Sequence, residues 1–349
     1  MPIGKTLLLT FFLLVCTALK AQNFKEEEVL LNTENGEIGG VILFPENANK
    51  KVPVVLIIQG SGPTDKDGNS AALPGKNNSL KLLAEALAEN GIASLRYDKR
   101  GMGLSKKAGK AEEELSFDDF IADASEFLNY LIEDKRFKKV GIAGHSQGSL
   151  IGMKIAQGKD VKAFASIAGP SLPIDETLKE QFRANPYNPP KLLEEANTIL
   201  ASLKSGEQVQ EVSPFLQSVF RPSIQPFMIS WMKYEPTKEI SKLNMPILVI
   251  NGSTDLQVNV EDAQRLQISN PKAKLVIVDG MNHVLKDSSA KPMENNATYS
   301  NPDLPLNTKF RKSVCDFFVE NLKKWPKAKL KIFWPAWPKA KAYCVMPEA

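Results

Sequence analysis

The passage from Lys138 to Met153 constrains this chain more than any other, because a short apolar run there meets Gly144-His145-Ser146-Gln147-Gly148 and a helical pattern follows at once. Val140, Gly141, Ile142 and Ala143 read as a buried strand, and Ser149 to Ala156 as the helix behind the turn. A G-x-S-x-G turn between strand and helix is the nucleophile-elbow pattern. The spacing has a physical reason. Ser146 must stand on a sharp, strained turn with its hydroxyl projecting, and Gly144 and Gly148 let the two backbones approach with no Cβ between them. The helix N-terminus then offers free N–H groups to developing negative charge. A Gly-Ser surface turn is the competing reading, and the flanking strand and helix argue against it.

A serine hydroxyl is a weak nucleophile near neutral pH and needs a general base. The chain has 2 histidines. His145 sits inside the elbow, where its side chain is expected to point away from that of Ser146, so His283 in Gly280-Met281-Asn282-His283-Val284 becomes the candidate base. An imidazole in that role needs a carboxylate to fix its tautomer. Asp255, in the loop Asn251-Gly252-Ser253-Thr254-Asp255 after a strand, is the candidate, with Asp175 as the substitute. Backbone N–H groups for an oxyanion are expected from Gln147 and from Ser61 in Gln59-Gly60-Ser61-Gly62-Pro63. That loop lacks the third glycine of a dinucleotide fingerprint, and no Walker lysine is present. No cofactor is expected, and with so few histidines and no cysteine cluster no metal is expected either.

The rest of the chain supplies the frame. Val29 to Leu31, Gly40 to Phe44, Val52 to Ile58, Ile92 to Tyr97, Val161 to Ile167, Pro246 to Asn251 and Lys274 to Val278 read as strands. Helices are expected over Leu80 to Leu87, from a capping box at Ser116 and Asp119, over Val260 to Leu266, and near Phe310 to Leu322. Strand and helix in alternation predict an α/β fold with a mostly parallel sheet covered on both faces. A proline-rich block, about 170–243, interrupts the alternation and reads as a helical lid, with helical pieces at Lys191 to Leu203 and Val212 to Phe220. Its Phe220, Phe227, Trp231 and Tyr234 either line a pocket or pack the lid down.

Residues 1–21 carry Lys5, an apolar run from Leu7 to Ala18 and small residues before Gln22, the order of a signal peptide. The run is shorter than the roughly 20 residues of a membrane span. The expectation is an exported, periplasmic or secreted protein, cleaved after Ala21 or alternatively Ala18, with one domain over 22–324. The mature chain keeps Cys315 and Cys344, a possible but unforced bridge. In 325–349, Trp325-Pro326-Lys327-Ala328-Lys329 recurs as Trp337-Pro338-Lys339-Ala340-Lys341, a basic aromatic tail expected to be poorly ordered, with contact to an anionic membrane surface as the alternative. A net charge of +4 without a basic stripe in the core region gives no reason to expect a nucleic-acid partner.

The elbow, the Gln59 to Asp65 loop, Arg96-Tyr97-Asp98-Lys99-Arg100-Gly101-Met102-Gly103, and the Asp255 and His283 loops together resemble bacterial α/β-hydrolases of the carboxylesterase and serine aminopeptidase-like group. The resemblance runs from about Glu28 to Leu322 and extends to Phe220-Arg221-Pro222-Ser223 in the lid. Gln59 departs from it, since many relatives carry histidine there. The resemblance implies an α/β-hydrolase fold, a triad of Ser146, Asp255 and His283 in the order serine, acid, histidine, and hydrolysis of small-molecule carboxylic esters through an acyl-enzyme. Asp98 and Arg100 are expected to hold their loop. Two alternatives stand beside this. One is a peptidase acting on short peptides, with Glu194, Glu195 or Glu235 receiving the substrate amine. The other is a non-catalytic binding module.

Overall fold

A computed structural model describes residues 24–46, 48 and 51–323. The leader expected over 1–21, the tail over 325–349 and Cys344 lie outside them. In chain order the strands are β1 (Lys25–Thr33), β2 (Gly36–Phe44), β3 (Val52–Ile58), β4 (Ala93–Tyr97), β5 (Phe137–His145), β6 (Val161–Ile167), β7 (Ile247–Gly252) and β8 (Lys274–Val278). Among the described residues they form one sheet in the order β1-β2-β4-β3-β5-β6-β7-β8. Pairing is antiparallel for β1 with β2 and β2 with β4, and parallel from β4 onward. The central strand β3, Val-Pro-Val-Val-Leu-Ile-Ile, is buried at every position after Val52, as a strand covered on both faces requires.

The helices are α1 (Ser79–Glu89), α2 (Phe117–Glu133), α3 (Gln147–Ala156), α4 (Ile174–Ala184), α5 (Pro190–Lys204), α6 (Gln217–Phe220), α7 (Gln225–Trp231), α8 (Pro236–Ser241), α9 (Val260–Ser269), α10 (Pro292–Ala297) and α11 (Thr308–Phe318). Alternate residues of β3 divide the core. Val54, Leu56 and Ile58 join the cluster under α2, α3, α9 and the lid, while Val55 and Ile57 join the one under α1 and α11. The expected capping box opens α2, with Asp119 N–H donating to Ser116 Oγ at 3.2 Å and Ser116 N–H to Asp119 Oδ2 at 2.8 Å. Cys315 is buried in the α1/α11 core, where desolvation pushes its thiol up to about 11.

Several elements differ from expectation. Strand β1 begins at Lys25 rather than Val29, because the charged segment Glu26-Glu27-Glu28 pairs through its backbone while Glu26 bonds Arg96 at 3.0 Å and Glu27 bonds Arg136 at 2.7 Å. A row of charges on a sheet edge also discourages pairing with other chains. In the lid, α4, α7 and α8 were not expected, and Val212 to Phe220 contracts to α6. Pro226 and Pro236 read as breakers but sit in the first turns of α7 and α8, where no intrahelical N–H is missed. The lid is fastened to α2 by Phe117, whose ring stacks on Trp231 at 5.2 Å and whose N–H donates to Ser230 Oγ at 2.7 Å.

The elbow closes more tightly than its sequence suggests. Ser146 adopts φ 53° and ψ −122°, and α3 starts at the next residue, two earlier than expected. The single left-handed residue reverses the chain, so strand and helix backbones touch. A Cβ on Gly144 would lie 2.7 Å from Ser149 Cα, and one on Gly148 2.6 Å from the Gln59 carbonyl oxygen. Both obstacles are backbone and cannot rotate away. Gly148→Ala is therefore expected to destabilise the fold by about 2–3 kcal/mol, seen as a lower urea midpoint; an unchanged midpoint would show that the elbow relaxes.

Candidate active site

Loops at the carboxyl ends of β3, β4, β5, β7 and β8 meet above the sheet edge, where open α/β folds hold their ligands. Strand β5 delivers Ser146, whose N–H donates to the Ile167 carbonyl at 2.9 Å. Strand β7 delivers Asp255, whose Oδ1 accepts the N–H groups of Gln257 at 2.8 Å and Val258 at 3.0 Å. Its Oδ2 is left for His283 Nδ1 at 2.8 Å. The backbone thus holds one carboxylate oxygen while the other orients the imidazole. With Nδ1–H donating to Asp255, His283 Nε2 is free to accept a proton.

The histidine loop is braced from α10, an element that the sequence did not reveal. Asn295 Nδ2 donates to the Thr254 carbonyl at 2.8 Å and its Oδ1 lies 3.3 Å from Asn282 Nδ2, tying the Asp255 loop to the His283 loop. Asn282 Oδ1 accepts the Lys286 N–H at 3.1 Å and closes the turn. Apolar periodicity carries no trace of such amide clamps.

His145 does more than turn away from its neighbour. Its Nε2 lies 2.9 Å from the His283 carbonyl, the two rings 4.8 Å apart. Burial pushes its pKa down to about 3, with the nearby His283 adding to the effect. A carbonyl only accepts, so neutral His145 carries its proton on Nε2. The bond fastens the elbow to the loop that carries the candidate base. Among the described residues Ser146 Oγ makes no hydrogen bond to His283; such bonds often tighten only when substrate binds.

Ser61 and Gln147 line the same cavity as Ser146. The N–H groups of both have no hydrogen-bond partner among the described residues. The cavity measures about 730 Å³, and Ile174, Leu178, Phe227, Met228 and Trp231 give it an apolar wall from the lid. Of the lid aromatics in question, Phe227 and Trp231 line it. Phe220 instead packs inside the lid on Phe182, and Tyr234 lies against Phe117 with its hydroxyl bonded to Asp118. Asp175 is paired with Lys204 at 3.1 Å and does not bond His283. Asp98 accepts from the Lys66 and Leu104 N–H groups, and Arg100 bonds Asp123 and the Asn35 carbonyl, so both hold their loop.

A family model described as serine aminopeptidase, S33, matches residues 76–287. Esterase EstD of Thermotoga maritima is 26% identical over 285 residues, covering 77% of this chain and 62% of EstD, so the chain spans about three fifths of that relative. Among solved structures, Est1E from Butyrivibrio proteoclasticus superposes with a TM-score of 0.57 at 17% identity, over 85% of this chain and 99% of Est1E. The Pyrococcus furiosus esterase Pf2001 gives 0.54 at 17% identity, over 86% and 92% of the two chains.

Asp255→Asn is expected to lower turnover by about 10³- to 10⁴-fold while leaving the fold intact, measured as kcat on an activated ester beside thermal unfolding. By NMR of the labelled imidazoles, His145 is expected to show no titration between about pH 5 and 9, since it stays neutral above its depressed pKa. A His145 signal moving with a midpoint near 6.5 would contradict the buried neutral donor.

Proposed function

Because this chain belongs to the serine aminopeptidase S33 family and has the α/β-hydrolase fold, we propose that it is a serine hydrolase of small-molecule carboxylic esters. The observation that carries the reading is the Asp255–His283 hydrogen bond at 2.8 Å, with the His283 carbonyl bonded by His145 of the same elbow whose Ser146 lines an apolar cavity. Ser146 Oγ attacks the acyl carbon while His283 Nε2 takes its proton. The oxyanion is held by the N–H groups of Gln147 and Ser61, and Asp255 stabilises the imidazolium. Collapse breaks the ester C–O bond, and His283 returns the proton to the leaving alcohol. Water, deprotonated by His283, then attacks the acyl-enzyme; collapse releases the acid and restores the hydroxyl of Ser146.

The walls support ester over peptide substrates. A free peptide amine needs a carboxylate in the cavity, and none of the three candidates lines it. Glu195 accepts the Ser213 N–H at 2.8 Å, Glu235 pairs with Lys238 at 2.9 Å, and Glu194 lies on the outer side of α5. The carboxylate that does line it, Glu112, is occupied by Arg221 at 2.7 Å and by Ser223, and the Arg221 bond holds it below the usual carboxylate range. The names of EstD, Est1E and Pf2001 agree with an esterase. We also propose export, from the order of charge, apolar run and small residues in 1–21.

The test is turnover of short and medium p-nitrophenyl acyl esters by the purified protein beside Ser146→Ala. Activity is expected to fall at least ~10³-fold in the variant and to decline once the acyl chain outgrows the cavity. Equal rates from two folded proteins would contradict the reading, and faster cleavage of aminoacyl amides would move it to the peptidase.

A further inference from the structure

Beside the candidate oxyanion site lies a cation that the triad does not use. Lys99 follows β4 and is 6% exposed. Its ammonium donates to the Gly60 carbonyl at 2.6 Å, the Gly62 carbonyl at 3.1 Å and Gln147 Oε1 at 3.1 Å, and sits 4.9 Å from the centre of the Phe120 ring. Three N–H donors meet three neutral oxygens, and no carboxylate pairs with the group among the described residues. Burying an ammonium without a counter-ion is costly, and an apolar side chain would fill the same space more cheaply. The position therefore calls for something that only a charge supplies.

The acceptors show what that is. Two of them flank Ser61 and the third belongs to Gln147, so one cation ties together the two residues whose N–H groups are free. The Gly60 carbonyl and the Ser61 N–H belong to the same peptide unit. None of the described peptide bonds is cis, so in this unit C=O and N–H point in opposite directions. A cation drawing on the carbonyl from one side aims the N–H to the other and strengthens it as a donor.

We propose that Lys99 is a positioning residue for the oxyanion hole, fixing and polarising the Ser61 peptide while anchoring Gln147, so that its positive charge supports the transition state rather than substrate binding. The proposal rests on the ester-hydrolase reading. It also carries a pH signature, because burial pushes Lys99 down to about 7. Below that pH the ammonium makes all three bonds. Above it the amine keeps two N–H donors and the charge is lost, so turnover declines. The other titratable or charged groups around it are His145 and His283 beside the elbow, Asp98 in its own loop, and Arg100, Glu112 and Arg221 on the cavity walls; Glu112 is paired with Arg221.

The experiment measures kcat and KM against pH for wild type, Lys99→Met, Lys99→Arg and Ser146→Ala on one p-nitrophenyl ester. Lys99→Met is expected to lower kcat about 10- to 100-fold, a smaller loss than deleting an oxyanion donor outright, with KM within about twofold. The alkaline decline of kcat present in wild type is expected to vanish in Lys99→Met. Arginine, charged throughout, is expected to recover part of kcat without the decline. If Lys99→Met does not fold, wild type and Lys99→Arg carry the test: a wild-type kcat that reaches a plateau and holds it to about pH 9 overturns the proposal. So does a folded Lys99→Met with wild-type kcat while Ser146→Ala is inactive. Retained activity in Ser146→Ala is a different failure, that of the ester-hydrolase reading itself.

Discussion

One residue in a left-handed backbone conformation sets the geometry of the whole site. Ser146 at φ 53° lets β5 pass into α3 with no residue between them but Ser146 itself, a conformation that costs a non-glycine residue of order 1–3 kcal/mol. The strain is held by contacts on every side. Gly148 lies against the end of β3, the Ser146 N–H bonds the end of β6, and His145 reaches across to the carbonyl of His283. The contacts tie the elbow to β3, to β6 and to the loop after β8, so relaxing it would disturb the sheet edge as a whole.

That edge divides the labour. The loop after β7 locks one oxygen of Asp255 with backbone N–H groups and presents the other to His283, while Asn295 joins the two loops from outside. The loop after β3 brings Ser61, and the loop after β4 brings Lys99 beneath it. The lid closes the apolar side through Phe227 and Trp231, anchored to α2 by the stacking of Phe117 on Trp231. Residues distant in sequence meet because the parallel strands all end at the same edge.

Much of this was legible in the chain. The buried run of β3, the capping box of α2 and the elbow each depend on local spacing, so periodicity and small residues were enough to place them. The pairing of Asp255 with His283 followed from histidine scarcity and from loops expected at one sheet edge. What stayed hidden depends on long-range or polar contacts. The charged start of β1 is held by Arg96 and Arg136, the first-turn prolines of α7 and α8 look like breakers, and the clamp through Asn295 joins residues about forty positions apart. Lys99 stood in plain view between Asp98 and Arg100, but only folding shows its three acceptors. His145 was set aside for a related reason: its partner is a backbone carbonyl, which no side-chain motif records.

The central claim is that Ser146 is made nucleophilic by this arrangement. Intact-mass measurement after exposure to a small fluorophosphonate, followed by peptide mapping, tests it without assuming a substrate. The account predicts one adduct, on the peptide carrying Ser146, formed by wild type and much more slowly by folded His283→Ala. An unmodified wild type, or an adduct on another serine, would contradict it.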